Sequence, residues 1–160
     1  MEIKTVSIIG LGALGILFGH HLSKRMAKED LRIVADEERI KRYKREGVYS
    51  NGERCDFHYV TPEEKTGPAD MVLFTVNGIS SEKMIAEAYG PEKVLYCVAQ
   101  GMDAVKTGNK LTYENMGMLV FGGKGPDDAD KVQRVAEFFR KTDFPHQVDS
   151  NMKKRLWGKF

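Results

Sequence analysis

Gly10-Leu11-Gly12-Ala13-Leu14-Gly15 has the spacing G-x-G-x-x-G, and its glycines could bring a chain's backbone against a phosphate. The pattern alone is common by chance. Its context gives it weight, because it follows a β-branched stretch and opens a run of helix-forming residues near the start of the chain. Gly10 allows a tight turn, Gly12 lets backbone N–H groups approach a pyrophosphate, and Gly15 lets the helix pack close to the strand. The helix N-terminus adds partial positive charge beneath the phosphates. Asp36 stands 21 positions after Gly15, at the end of the next expected strand. A carboxylate there accepts hydrogen bonds from a free ribose 2′-OH and repels a 2′-phosphate, which favours NAD. Arg39, one helical turn on, could bind a 2′-phosphate instead, so the residues leave NAD and NADP open. The six loop residues, Asp36 and Arg39 form the candidate cofactor-binding set.

Other chemistry is sparser. His20 and His21 are helix neighbours pointing apart, and His58 and His146 are isolated, so no metal site is expected. Cys55 and Cys97 have no metal or redox spacing and no obvious histidine partner. Asn77-Gly78 follows the apolar stretch Met71 to Val76, at what would be the carboxyl end of a strand, the edge where open α/β sheets bind ligands. On spacing alone a plain Asn-Gly turn is slightly the better explanation. The basic segment Lys153 to Lys159 offers a lysine to bind an anionic substrate or donate a proton, against the plainer reading of a solvated helix start.

The elements that must position these residues alternate. Strands are expected at 3–9, Leu31 to Ala35, Phe57 to Val60, Met71 to Val76 and Val94 to Ala99, with one or two more within Lys110 to Phe121. Helices are expected at Ala13 to Lys28, Glu37 to Glu46 with Gly47 as its cap, Ser80 to Tyr89, and Asp127 to Lys141. His146 to Val148 is short and extended, and a basic helix starts at Asn151. Asn51-Gly52 marks a turn, and Gly108-Asn109 suggests a hairpin and hence an antiparallel part. The fold class is α/β: a Rossmann-like, doubly wound, mainly parallel sheet with an antiparallel extension. Residues 1–150 form the dinucleotide-binding domain, and 151–160 begin a helical one.

Composition narrows the partners. Lys and Arg number 25 against 23 Asp and Glu, and a net charge of +2 argues against a nucleic-acid binder. The longest nearly uncharged apolar run, Val6 to Gly19, is short of the roughly 20 residues a membrane span needs, so no membrane partner is expected. Glu2 and Lys4 cancel where a secretory signal would be basic, which points to a cytoplasmic protein.

G-L-G-A-L-G at 10–15, N-G-I-S-S at 77–81 and L-W-G-K at 156–159 occur in the order seen in ketopantoate reductases (2-dehydropantoate 2-reductases), and the chain resembles that family over nearly its whole length. The resemblance implies an oxidoreductase that reduces ketopantoate to pantoate with NADPH, on the route to pantothenate and coenzyme A. It implies that Gly10, Gly12 and Gly15 hold the pyrophosphate, that Asn77 lies beside nicotinamide and substrate, and that Lys159 donates a proton to the forming alkoxide. The cofactor is then NADP, with NAD admitted by Asp36, and the partner a small 2-keto acid.

The chain also departs from the family. A helix and strand that normally precede the N-G turn, and a lysine ending the first of its two strands, have no counterpart here. The chain ends where the family's helical C-terminal domain begins. A non-catalytic dinucleotide-binding module is therefore the alternative, and a sheet face left bare by the missing elements leaves room for a homo-oligomer.

Overall fold

Val6–Ile9 forms strand β1, and its Val6 and Ile8 side chains are fully buried. A strand this apolar is stable only between covered faces, as in parallel sheets. β1 is central: Leu31–Val34 (β2) pairs with it on one side and Met71–Phe74 (β6) on the other, both parallel, and His58–Val60 (β5) continues parallel beyond β2. The order β5-β2-β1-β6 puts the carboxyl ends of β1, β2 and β6 side by side, with Ile9 level with Val34 and Phe74. A computed structural model describes residues 2–75 and 85–158.

The two helices of this part differ as their sequences do. Helix α1, Ala13–Ser23, buries six of its eleven residues, including Ile16, Leu17, Phe18 and Leu22. Helix α2, Glu37–Glu46, buries only Ile40 and Tyr43, three apart on one face, and leaves its charges in solvent. Its N-terminus is capped by the Asp36 carboxylate and its C-terminus by Gly47 at φ +79°.

A small second sheet completes this unit, which comprises residues 3–75 and 103–116. Tyr49–Ser50 (β3) and Glu53–Arg54 (β4) form a hairpin whose two turn residues, Asn51 and Gly52, both have positive φ, as a type I′ turn requires. Val105–Thr107 (β8) and Lys110–Thr112 (β9) form another around Gly108, at φ +60°. β3 joins the two by pairing parallel with β9. Asn51 adds side-chain bonds, donating to Tyr113 O at 3.0 Å and accepting from Tyr113 N at 2.8 Å.

The other unit takes Glu2, 85–102 and 117–158. Its sheet has the order β11-β10-β7: Met118–Gly122 (β10) runs antiparallel to Tyr96–Gln100 (β7) and parallel to His146–Val148 (β11). Helix α3, Ala129–Lys141, contributes Phe138 and Phe139 to an aromatic core, with Phe139 edge-on to Phe121 at 5.4 Å and stacked on Phe144 at 4.8 Å. Helix α4, Met152–Gly158, docks by Met152 on Val98 and Val120, with Leu156 packed alongside.

The α/β class and the parallel sheet with an antiparallel extension are as expected. Details differ for local reasons. α1 ends at Ser23 rather than Lys28, because Lys24 caps it and the chain turns toward β2 through Lys28–Asp30. The Gly108-Asn109 hairpin joins two three-residue strands, and the antiparallel partner of β7 is β10. Of the helix expected at Ser80 to Tyr89, residues 85–89 are helical and 80–84 lie outside the described residues. Among the described residues, no helix is long and apolar enough to cross a membrane.

Candidate dinucleotide site

The chain leaves β1 through Gly10 at φ +96°, a conformation that side-chain-bearing residues rarely adopt. Gly12 is the N-cap of α1, with φ −75° and ψ −168°, and no side chain caps the helix there. The first turn carries no acidic residue, and its leading N–H groups have no intrahelical partner. Among the described residues, a Cβ built on Gly12 would meet nothing within 4 Å. An open backbone over an uncapped helix end fits an anion that approaches closely and accepts from those N–H groups.

Gly15 answers to the opposite constraint. A Cβ there would overlap the Gly10 carbonyl oxygen and sit 3.0 Å from Thr75 Oγ1. The first turn of α1 therefore lies directly on the turn that leaves β1. Thr75, the residue after β6, closes the arrangement: its N–H donates to Ile9 O at 3.2 Å, and its hydroxyl lies 2.5 Å from Gly10 O and 3.2 Å from Ile9 O. Sequence reasoning passed over Thr75. The available signal was a β-branched hydroxyl at the carboxyl end of an apolar strand, adjoining the Asn77-Gly78 turn.

Asp36 sits two residues beyond β2, at the same sheet edge as the glycine loop. Its Oδ1 accepts from Arg39 N at 2.8 Å, and its Oδ2 lies 3.4 Å from Arg39 Nε. Both side chains are more than half exposed, at 55% and 63%. The structure thus couples the two residues that the sequence offered as alternatives, and it gives Asp36 a capping role independent of any ligand.

Asn77 and Lys159 lie outside the described residues. The chain leading to Lys159 is anchored, since Met152 is buried and Arg155 Nε donates to Asp149 Oδ2 at 2.6 Å. Arg155 Nη1 also donates to Gln100 Oε1 at 3.1 Å. The Asp149 carboxyl is held below its ordinary range by the Asn151 N–H and then by Arg155.

Two further reactive side chains, Cys55 and His20, are shifted by their surroundings. Burial, followed by the Glu53 charge, pushes the Cys55 thiol up to about 12, so it is no thiolate at neutral pH. His20 Nε2 lies 3.2 Å from Glu53 Oε2, an ion-pair distance without hydrogen-bond alignment, and Lys24 Nζ is 2.7 Å from the same oxygen. Burial and then Lys24 lower the His20 pKa, against the opposing pull of Glu53.

Comparison with known proteins bears on the fold and on the N-terminal half of the chain. Residues 6–76, which hold β1, the glycine loop, Asp36 and β6, match the family model described as Ketopantoate reductase PanE/ApbA. None of the curated proteins matches the chain. The fold is shared with solved structures at low identity. The 2-dehydropantoate 2-reductase from Geobacter metallireducens GS-15 is 19% identical at a TM-score of 0.76, the alignment covering 97% of this chain and 61% of that one. The enzyme of the same name from Porphyromonas gingivalis W83 is 18% identical at 0.76, covering 99% and 68%. D-mandelate dehydrogenase, solved with NADH and anilino(oxo)acetate, is 15% identical at 0.75, covering 97% and 60%. The chain spans about three fifths of the length of the first structures it matches.

Proposed function

We propose that this chain, which carries the N-terminal region of the ketopantoate reductase family in residues 6–76, binds a nicotinamide dinucleotide at the glycine loop and serves the reduction of a 2-keto acid. The observation that carries the reading is the pair of opposite glycine constraints: an open Gly12 over an uncapped helix end, and a Gly15 that admits no Cβ. Leu11, Ala13 and Leu14 contribute backbone N–H groups beside Gly10, Gly12 and Gly15, with Asp36 and Arg39 facing the ribose end.

A bound NAD(P)H supplies hydride to the keto carbon. On the reading by family resemblance, the substrate is ketopantoate, the cofactor is NADPH, and Asn77 orients the substrate carbonyl. Lys159 donates a proton to the oxygen as it becomes an alkoxide and neutralises its developing charge. The test is turnover of ketopantoate by the purified chain with NADPH, followed as loss of nicotinamide absorbance. Turnover that falls sharply in Lys159→Ala supports the reading; a folded chain that consumes no NADPH contradicts the catalytic part.

A second reading keeps the dinucleotide and changes its type. The Asp36 carboxylate, more than half exposed at the ribose end, favours a free 2′-OH, and one structural neighbour was solved with NADH. NADH as the better reductant, with other 2-keto acids accepted, would establish it.

A further inference from the structure

The Thr75 hydroxyl lies 2.5 Å from the carbonyl oxygen of Gly10, the residue that turns the chain out of β1 at φ +96°. That oxygen has a second neighbour, since it occupies the space a Cβ on Gly15 would need. It is thus held between the end of β6 and the first turn of α1. The peptide that carries it is planar and trans, so its N–H, which belongs to Leu11, points opposite to its C=O. Among the described residues, no oxygen accepts from Leu11 N. With the Gly10 carbonyl held at Thr75, the trans peptide directs the Leu11 N–H away from Thr75.

We propose that Thr75 is a positioning residue for the dinucleotide: its hydroxyl fixes the Gly10–Leu11 peptide in the orientation that presents Leu11 N–H to a phosphate oxygen. The inference rests on the proposed dinucleotide site and adds to it a residue outside the glycine motif. A glycine at φ +96° has little steric resistance to a flip of the following peptide. Without the hydroxyl, the plane can turn over and place a carbonyl oxygen, a repulsive group, where the phosphate would sit. At this turn the Thr75 N–H goes to Ile9 O, and the contact with the Gly10 carbonyl is made by the hydroxyl, which is closer to Gly10 O, at 2.5 Å, than to Ile9 O, at 3.2 Å.

The test compares the full chain with Thr75→Ser, which keeps the hydroxyl, and Thr75→Val, which keeps the branched shape without it. NADH is titrated by fluorescence well below each protein's melting temperature. Thr75→Ser should bind within about twofold of the parent, and Thr75→Val about tenfold more weakly or worse, as expected when the released Leu11 N–H loses its hydrogen bond to a phosphate oxygen. A merely structural role would lower the melting temperature of Thr75→Val and leave the affinity of the folded protein unchanged, and that result overturns the inference.

A measurement on the parent chain needs no variant to fold. On addition of inorganic pyrophosphate, the Leu11 amide resonance should shift with those of Ala13 and Leu14. A Leu11 amide that stays in place while the other two move also overturns the inference. A parent chain that binds neither NADH nor pyrophosphate removes the dinucleotide site itself, and the role of Thr75 with it.

Discussion

Replacing Gly15 by alanine sets two physical effects against each other with opposite signs. Gly15 lies in the first turn of α1, and in an ordinary helix alanine is favoured over glycine by about 1 kcal/mol. For a chain of this length, that propensity alone would raise the melting temperature by about 2–4 °C. The contact points the other way. The added Cβ would overlap the carbonyl oxygen of Gly10, a backbone atom that the Thr75 hydroxyl holds in place and that cannot swing aside as a flexible side chain would. Forcing a methyl group into such a contact costs roughly 1–3 kcal/mol, which exceeds the propensity gain over most of that range.

The expected outcome for Gly15→Ala is a net fall in melting temperature of up to about 8 °C, followed by far-ultraviolet circular dichroism. Dinucleotide affinity should fall too, because the loop must shift to admit the methyl. Gly12→Ala is the control. Its φ of −75° suits any residue and its Cβ points into open space, so melting should stay close to that of the parent while affinity drops about tenfold or more. A Gly15→Ala protein that melts higher than the parent and binds as well would refute the close approach on which the site is built.

Gly12→Asp should abolish dinucleotide binding without lowering the melting temperature, since its carboxylate would meet the pyrophosphate in an otherwise open space; retained affinity would remove Gly12 from the site. Asp36→Asn keeps an oxygen that can cap α2 and loses the charge, so it should raise the NADPH-to-NADH affinity ratio at nearly unchanged stability. Asp36→Ala should shift the ratio likewise and also cost about 1 kcal/mol through loss of the cap, read by denaturant titration. His20 has a pKa below its ordinary 6.5, so the unfolded chain binds its proton more readily than the folded one. Stability carried by this group is complete above pH 6.5 and declines as pH falls below it. His20→Gln should flatten the dependence of melting temperature on pH in that window, and an unchanged slope would assign it to other groups.

Much of the fold could be read from the sequence where local signals and burial agree. Helix α2 matches its expected bounds, Glu37 to Glu46, because an aspartate cap and a positive-φ glycine mark its two ends. The parallel sheet was legible because β1 and β6 are apolar runs set among helical spacings. The two-residue strands β3 and β4 were not: Asn51-Gly52 announces a turn, but Tyr49–Ser50 and Glu53–Arg54 are too short and polar to show alternation, and β3 finds its partner β9 some sixty residues away.

The site shows the same division. Glycines reveal themselves by spacing, so Gly10, Gly12 and Gly15 stood out, and the structure gives each a distinct geometric reason. Thr75 did not, because its role depends on strand register: β6 pairs with β1 so that the residue after Phe74 meets the turn after Ile9. The Asp36–Arg39 pair was legible as two residues one turn apart, but their mutual engagement was not.

A fluorescence titration of the purified chain with NADPH and, separately, NADH reads the dinucleotide site without any variant. Saturable binding of at least one of them is expected, with the ratio of the two affinities reporting on Asp36 and Arg39. A chain shown to be folded by circular dichroism that binds neither would contradict the assignment of the glycine loop as a dinucleotide site.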